Sequence, residues 1–213
     1  MAERGMNGAS TIEEPGNWFH RAAREAARLD LAVYTAVADT PTPSLDRALN
    51  GLSRAADYSR LSAGSAAVLW FAGGCRGRAA ATMGLASVAV TSTVVNVGIK
   101  PIFRRRRPDR VAQGVPHPRQ VPLPSSTAFP SGHSAAAFAF ATGVGRVLPI
   151  AAFPLRGLAA LVAYSRVHTG VHYPGDVVAG ALLGSALAQA TTYGLATAWP
   201  PQPANDLRPR ERS

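Results

Sequence analysis

The sequence predicts an all-α protein, a multi-span transmembrane helical bundle, on three observations. Charged residues make up only 16% of the 213 residues, below the roughly 25% of soluble domains. Two runs, 79–99 and 177–199, carry no charge, and each reaches the roughly 20 residues a helix needs to cross a hydrocarbon core of about 30 Å. Ala and Gly recur through the apolar runs, and small residues let transmembrane helices approach closely. A buried soluble helical core shares that habit, so run length decides between the two.

Taken in order, residues 1–17 read as a disordered lead, polar and of mixed charge, without the apolar core of a signal peptide. Residues 18–38 suit an amphipathic helix with Arg21, Arg24 and Arg28 on its polar side. The stretch DTPTPSLD ends it, and Ser44 stands where it could cap a second amphipathic helix over 45–60. Residues 18–60 are thus expected as interfacial helices on a membrane or as ordinary solvated ones. A transmembrane domain over 61–199 follows. Its first apolar run, 62–74, is short for a span, and 79–99 has full length. Residues 100–133 are polar, Pro-rich and basic. The runs 134–153 (interrupted by Arg146), 157–165 and 177–199 bring the total to about five spans. Residues 200–213 are expected as a disordered basic tail.

The net charge is +10. Nucleic acid, anionic lipid headgroups and a phosphate-bearing substrate are the three readings of such an excess. The single cysteine, Cys75, rules out an intrachain disulfide and, within an apolar run, reads as inert filler. Of the 22 basic residues all but one are arginine, and the exception is Lys100.

Three polar clusters lie at the ends of the apolar runs: KPIFRRRRP (100–108), FPSGHS (129–134) and SRVHTGVHYPGD (165–176). The stretch between His133 and Arg166 fits an up-and-down helical pair of about 16 residues each, or about 24 Å at 1.5 Å per residue. The second and third clusters therefore return to one face, and the first two share one loop. Lys100, Arg107 and Arg166 would then supply three cations. Arg offers planar bidentate donors and Lys a compact charge, a set suited to the oxygens of a phosphoryl group in transfer. Ser131 adds a hydroxyl, and Gly132 lets backbone N–H groups approach an anion at the start of a helix. Pro174 marks another helix start, which puts Asp176 in its first turn just after His172. A carboxylate there can fix one imidazole nitrogen and leave the other free to attack phosphorus, with His133 as proton donor to the leaving oxygen. Between residues 100 and 199 the only carboxylates are Asp109 and Asp176, too few for a two-metal site. The expected chemistry is therefore metal-independent, without cofactor, through a phosphohistidine.

Order and spacing together resemble the tripartite signature of the type 2 phosphatidic acid phosphatase (PAP2) superfamily, which includes lipid phosphatases, bacterial acid phosphatases and vanadium haloperoxidases. Its pattern is K-x6-R-P, P-S-G-H and S-R-x5-H-x3-D. Lys100, Arg107 and Pro108 match the first part, Pro130 to His133 the second, and Ser165, Arg166, His172 and Asp176 the third. Residues 1–60 carry no part of it. The resemblance implies a helical bundle of the acid phosphatase/haloperoxidase type with the site at one end. It implies His172 as nucleophile, His133 as general acid and Asp176 as orienting partner. Lys100, Arg107, Ser131, Gly132 and Arg166 would bind phosphate. His168 lies between signature positions and is expected in a structural or substrate-contact role.

The membrane branch of that family implies a cell-membrane, multi-pass lipid phosphatase with an extracytoplasmic site. Its partners would be the bilayer and a lipid phosphate or diphosphate, and no nucleic acid. In that orientation Arg76, Arg78, Arg146, Arg156 and the tail arginines are cytoplasmic, as the positive-inside rule asks. Two alternatives stand beside it. One is a vanadium-dependent haloperoxidase, against which length and apolar runs argue. The other is a non-catalytic basic protein binding anionic lipid, which leaves the His172–Asp176 spacing unexplained.

Overall fold

The computed structural model describes residues 15–198, with only the backbone of Pro15, Gly16, Asn17 and Phe19. Most of the expected lead and tail lie outside these residues. Among the described residues are seven α-helices: α1 Pro15–Asp39, α2 Pro43–Ala55, α3 Arg60–Ala72, α4 Gly74–Thr93, α5 Gly132–Val147, α6 Pro149–His168 and α7 Pro174–Ala198. A wider π-type turn, Val94–Ile99, continues α4 up to Lys100.

Several boundaries differ from the sequence expectation. Helix α1 starts at Pro15, inside the stretch read as lead, because proline's fixed φ suits a helix's first turn. Helix α2 starts at Pro43, so Thr42 and not Ser44 holds the cap position. The Thr42 hydroxyl donates instead to Asp46 Oδ1 at 2.9 Å. That helix stops at Ala55 and not at 60, because Tyr58 and Ser59 take left-handed φ values of 55° and 57°, which no α-helix contains. The apolar stretch 134–153 is broken at Leu148–Pro149, where α5 ends and α6 begins. The helices facing one another between His133 and Arg166 are therefore 16 and 20 residues long.

Helix α5 is the central element, packed against α4, α6 and α7. The core around it is made of small side chains. Ala80, Ala81, Ala135, Ala139, Ala141 and Ala188 are almost fully buried. Gly180 and Gly184 of α7 face the backbone of Ser131 and Ala135 so closely that a Cβ at either would overlap a carbonyl oxygen. Large apolar side chains point outward instead: Phe71, Phe153, Ile150 and Leu182 are all more than two-thirds exposed. Among the described residues, two helices are long and apolar enough to cross a membrane, Gly74–Ile99 and Pro149–His168. The run 177–199 is not one of them: Gln189, Thr191 and Thr192 dilute it, although α7 has 25 residues.

The α3–α4 and α5–α6 turns lie together at one end, where Arg76 Nη2 donates to the Val147 carbonyl at 3.1 Å. The loop 100–131 and the α6–α7 turn occupy the other end. Helices α1 and α2 pack against that end through α6, α7 and the short turn at His117–Arg119. Buried Arg119 donates to the carbonyls of Val37, Ala38 and Thr40 and to Asp46, so the α1–α2 linker is stapled to the loop.

Candidate active site

Each part of the signature is delivered by a helix end. Lys100 follows the π-type turn of α4, Ser131 to His133 open α5, Arg166 closes α6, and His172 to Asp176 lead into α7. Polar side chains collect there because helix termini leave backbone groups unpaired and the helix interiors are apolar.

The three parts meet. Lys100 Nζ and Arg107 Nη2 lie 3.1 and 3.4 Å from Ser126 Oγ. The Lys100 ammonium packs against the start of α5, where a Cβ at Gly132 would stand 3.4 Å from Nζ, an ordinary contact. The Ser131 N–H donates to the Asp176 carbonyl at 2.9 Å, tying α5 to α7. The Ser131 hydroxyl is buried and accepts from Ser134 Oγ at 3.0 Å; its reach is inward, as a helix cap. Lys100, Gly132 and His133 line one cavity of about 230 Å³ with Ser92, Asn96, Ser126, Tyr58 and Ser59.

His172 is 1% exposed. Its Nε2 lies 3.2 Å from Arg107 Nη1. A guanidinium can only donate, so Nε2 accepts, and the ring proton of the neutral imidazole sits on Nδ1. That nitrogen faces Asp176 Oδ2 at 3.6 Å, long for a hydrogen bond, and has no other partner. Burial pushes the imidazole down from its usual 6.5 to about 4, against the pull of Asp176 and with the push of Arg107. Burial, then the neighbouring Arg107 charge, also holds the Lys100 ammonium below its ordinary value.

Arg166 is 1% exposed and donates to the Ser53 carbonyl and hydroxyl at 3.1 and 2.7 Å. Its Nε is buried without a partner. His133 Nε2 meets Asp57 Oδ1 at 2.9 Å, and the same oxygen lies 3.6 Å from Arg166 Nη1. An ionised carboxylate only accepts, so this nitrogen of His133 carries a proton. His168 stands apart. Its Nε2 meets Asp46 Oδ1 at 3.0 Å beside Arg119, a structural cluster between α2 and α6.

Nothing in the signature marks Asp30, Ser53, Asp57, Arg105 or Ser126. Arg105 was one of four consecutive arginines, and nothing in the run separates it from its neighbours. The available signal was charge balance: 100–176 has two carboxylates for its many cations, while 18–60 holds Asp30, Asp46 and Asp57.

Residues 81–200 match the family model described as PAP2 superfamily. A decaprenylphosphoryl-5-phosphoribose phosphatase of Mycobacterium tuberculosis is 38% identical over 101 residues, 46% of this chain and 51% of that protein. An undecaprenyl-diphosphatase of Sulfolobus acidocaldarius is 43% identical over 70 residues, 30% of this chain and 32% of that one. The chain thus spans about half, or less, of the curated relatives it matches. Two solved structures share the fold. A transmembrane PAP2-type phosphatidylglycerolphosphate phosphatase from Bacillus subtilis aligns with TM-score 0.62 at 24% identity, over 84% of this chain and 90% of that one. LpxE of Aquifex aeolicus aligns with TM-score 0.64 at 24% identity, over 78% and 95%. With the family model covering more than half of its length, the chain belongs to the PAP2 superfamily.

Proposed function

We propose that this chain is a membrane-embedded phosphatase that hydrolyses a lipid phosphate or diphosphate monoester through a phosphohistidine, without a metal ion. One observation carries the reading: His172 Nε2 accepts from Arg107, a cation of the proposed phosphate grip, so the ring proton sits on the Nδ1 side that faces Asp176. A neutral imidazole so oriented is a nucleophile at neutral pH.

In this reading Lys100, Arg107 and Arg166 take the phosphoryl oxygens with Ser131 and Gly132 at the first turn of α5, and their charges stabilise the transition state. His172 Nε2 attacks phosphorus, a P–N bond forms, and the P–O bond to the lipid breaks. The leaving oxygen takes the proton of His133. Water then attacks phosphorus and gives its proton to His133, which releases inorganic phosphate and restores His172. The donor set favours this over a metal route. Both Asp176 oxygens already accept hydrogen bonds, from Arg105 and from the Tyr173 N–H, and the nearby Asp57 carboxylate is taken up by His133 and Arg166.

A bilayer setting is supported by the inside-out distribution of side-chain size. Only 28% and 39% of the two candidate spans is buried within the protein, whereas the core helix of a soluble protein is mostly covered. The lipid tail of the substrate can then stay in the membrane while its phosphate enters the site. The named activities of the two curated relatives favour a polyprenyl substrate. An extracytoplasmic site in the cell membrane is the orientation the membrane branch of the family favours, with Arg76, Arg78 and Arg146 at the opposite, cytoplasmic turns.

The test is phosphate release by the full chain in detergent from polyprenyl monophosphate, polyprenyl diphosphate and phosphatidate, with chelator present. Release is expected, with an acid-labile phosphoprotein trapped on short incubation. Activity that vanishes with chelator and returns with Mg²⁺ overturns the metal-free route.

A further inference from the structure

We propose that Arg105 and Asp30 are positioning residues for the His172–Asp176 pair. Arg105 splints the Asp176 carboxylate to α1, and through it sets the orientation in which His172 is held. The role for His172 rests on the function proposed above; the geometry of the splint does not.

Asp176 is fully buried, and a buried carboxylate persists as an anion only with a counter-charge and satisfied lone pairs. Arg105 supplies the charge: its Nη1 donates to Asp176 Oδ1 at 2.9 Å. Asp176 Oδ2 accepts from the Tyr173 N–H at 2.9 Å and faces His172 Nδ1. With both oxygens held, the carboxylate cannot rotate. Arg105 is itself clamped. Its Nη2 donates to Asp30 Oδ2, and its guanidinium carbon lies 4.4 Å over the Tyr173 ring. Asp30 Oδ1 accepts from the Gly175 N–H at 2.6 Å, the residue beside Asp176. The circuit Asp176–Arg105–Asp30–Gly175 closes on itself. A Cβ at Gly175 would stand 3.0 Å from Asp30 Oδ2, a tight contact that would press on the clamp.

Among the described residues the hydrogen bonds and ion pairs of the Arg105 side chain run to Asp176 and Asp30. Lys100, Arg107 and Arg166, the cations assigned to the phosphate, have other partners. The adjacent Arg104 and Arg106 are exposed and serve as internal controls. The splint thus predicts a loss of turnover without a loss of substrate affinity.

Arg105→Leu and Asp30→Asn in the full chain are each expected to lower kcat on undecaprenyl phosphate about 10- to 100-fold, the usual cost of losing a group that orients a reactive ligand, with KM within about twofold. Arg105→Lys should recover part of the rate and Arg106→Leu should change nothing. The double variant should be no slower than Arg105→Leu alone, because both residues act through one circuit. A rise in KM with kcat intact would make Arg105 a substrate contact and overturn the proposal. So would equal behaviour of Arg105→Leu and Arg106→Leu, or losses that multiply. If Arg105→Leu unfolds on heating well below the parent, the near-isosteric Asp30→Asn and Arg105→Lys carry the same comparison. ¹⁵N NMR of the His172 ring reads the splint without turnover. Mainly Nδ1-protonated ring is expected in the parent and a tautomer mixture in Asp30→Asn; identical spectra overturn the proposal. An inactive parent with the expected spectra would sink the phosphatase reading and leave the splint standing.

Discussion

Residues 100–176 and residues 18–57 differ in what they carry and in how much of it the sequence announces. The first region holds the whole signature and 10 of the 22 Lys and Arg residues, with Asp109 and Asp176 as its only carboxylates. The second holds no signature residue, yet it supplies partners for the first. Asp30 meets Arg105, Asp46 meets Arg119 and His168, Ser53 meets Arg166, and Asp57 meets His133. A cluster of cations suited to gripping phosphate repels itself when empty and is costly to bury. The N-terminal helices answer that cost with acceptors set against the cations, while Lys100 lines the cavity and the Arg166 Nε has no partner.

If that division holds, removing His172 has the largest effect on activity. His172→Ala is expected to lower phosphate release at least about 10³-fold, as loss of a nucleophile does elsewhere, while leaving the unfolding midpoint within a few degrees. Retained turnover would move the chemistry to another residue and break the comparison at its root.

The largest effect on stability should come from the other region. Asp46→Ala strands two buried basic side chains, Arg119 and His168, and is expected to cost about 3–5 kcal/mol, read as a fall in the denaturation midpoint. Full stability in this variant would mean that the N-terminal helices pack on the site without being needed by it.

Asp57→Asn keeps the shape of the contact to His133 and removes its charge. A fall in kcat of about tenfold, within the range that general acid catalysis contributes, is the expected result, with stability unchanged because Asp57 is 39% exposed. An unchanged rate would remove Asp57 from the proton path.

The pH profile sharpens the picture within the signature region. In the proposed mechanism His172 attacks as the neutral ring, and burial lowers its free-enzyme value to about 4. Lowering the pH through that value protonates the nucleophile. After correction for the ionisation of the substrate, kcat/KM should therefore stay level down to about pH 5 and fall below it. An acid limb at 6.5 would mean a solvated His172.

The smallest effect is expected at Arg28, whose pairing with Glu25 on α1 is 75% and 63% exposed. Arg28→Ala should change stability by less than about 0.5 kcal/mol. The contrast with Asp46, also in the N-terminal region, tests whether only the contacts that cross to the signature region matter.

Much of the helical plan was legible because it rests on local rules. Charge-free runs, Pro174 and the Gly–Ala pattern reflect chain length, φ restriction and side-chain size. The convergence of the three polar clusters was legible because helix rise and loop length put His133 and Arg166 on one face. Two things were not. Cap and break positions depended on which of several competent residues won, as at Thr42 against Ser44 and at Leu148–Pro149. The partners of the cations were also hidden: Asp30 lies 75 positions from Arg105 and Asp57 lies 76 from His133, and no periodicity spans such distances.

By itself the sequence determined the helical class, the family signature and the residue types at the reactive end, since each follows from side-chain chemistry and spacing along the chain. Only the tertiary structure decided which arginine of the run braces Asp176, which nitrogen of His172 meets Arg107 and why the first 60 residues matter. Those outcomes depend on distances of 2.5–3.6 Å between segments far apart in the chain, and such distances exist only once the helices have packed.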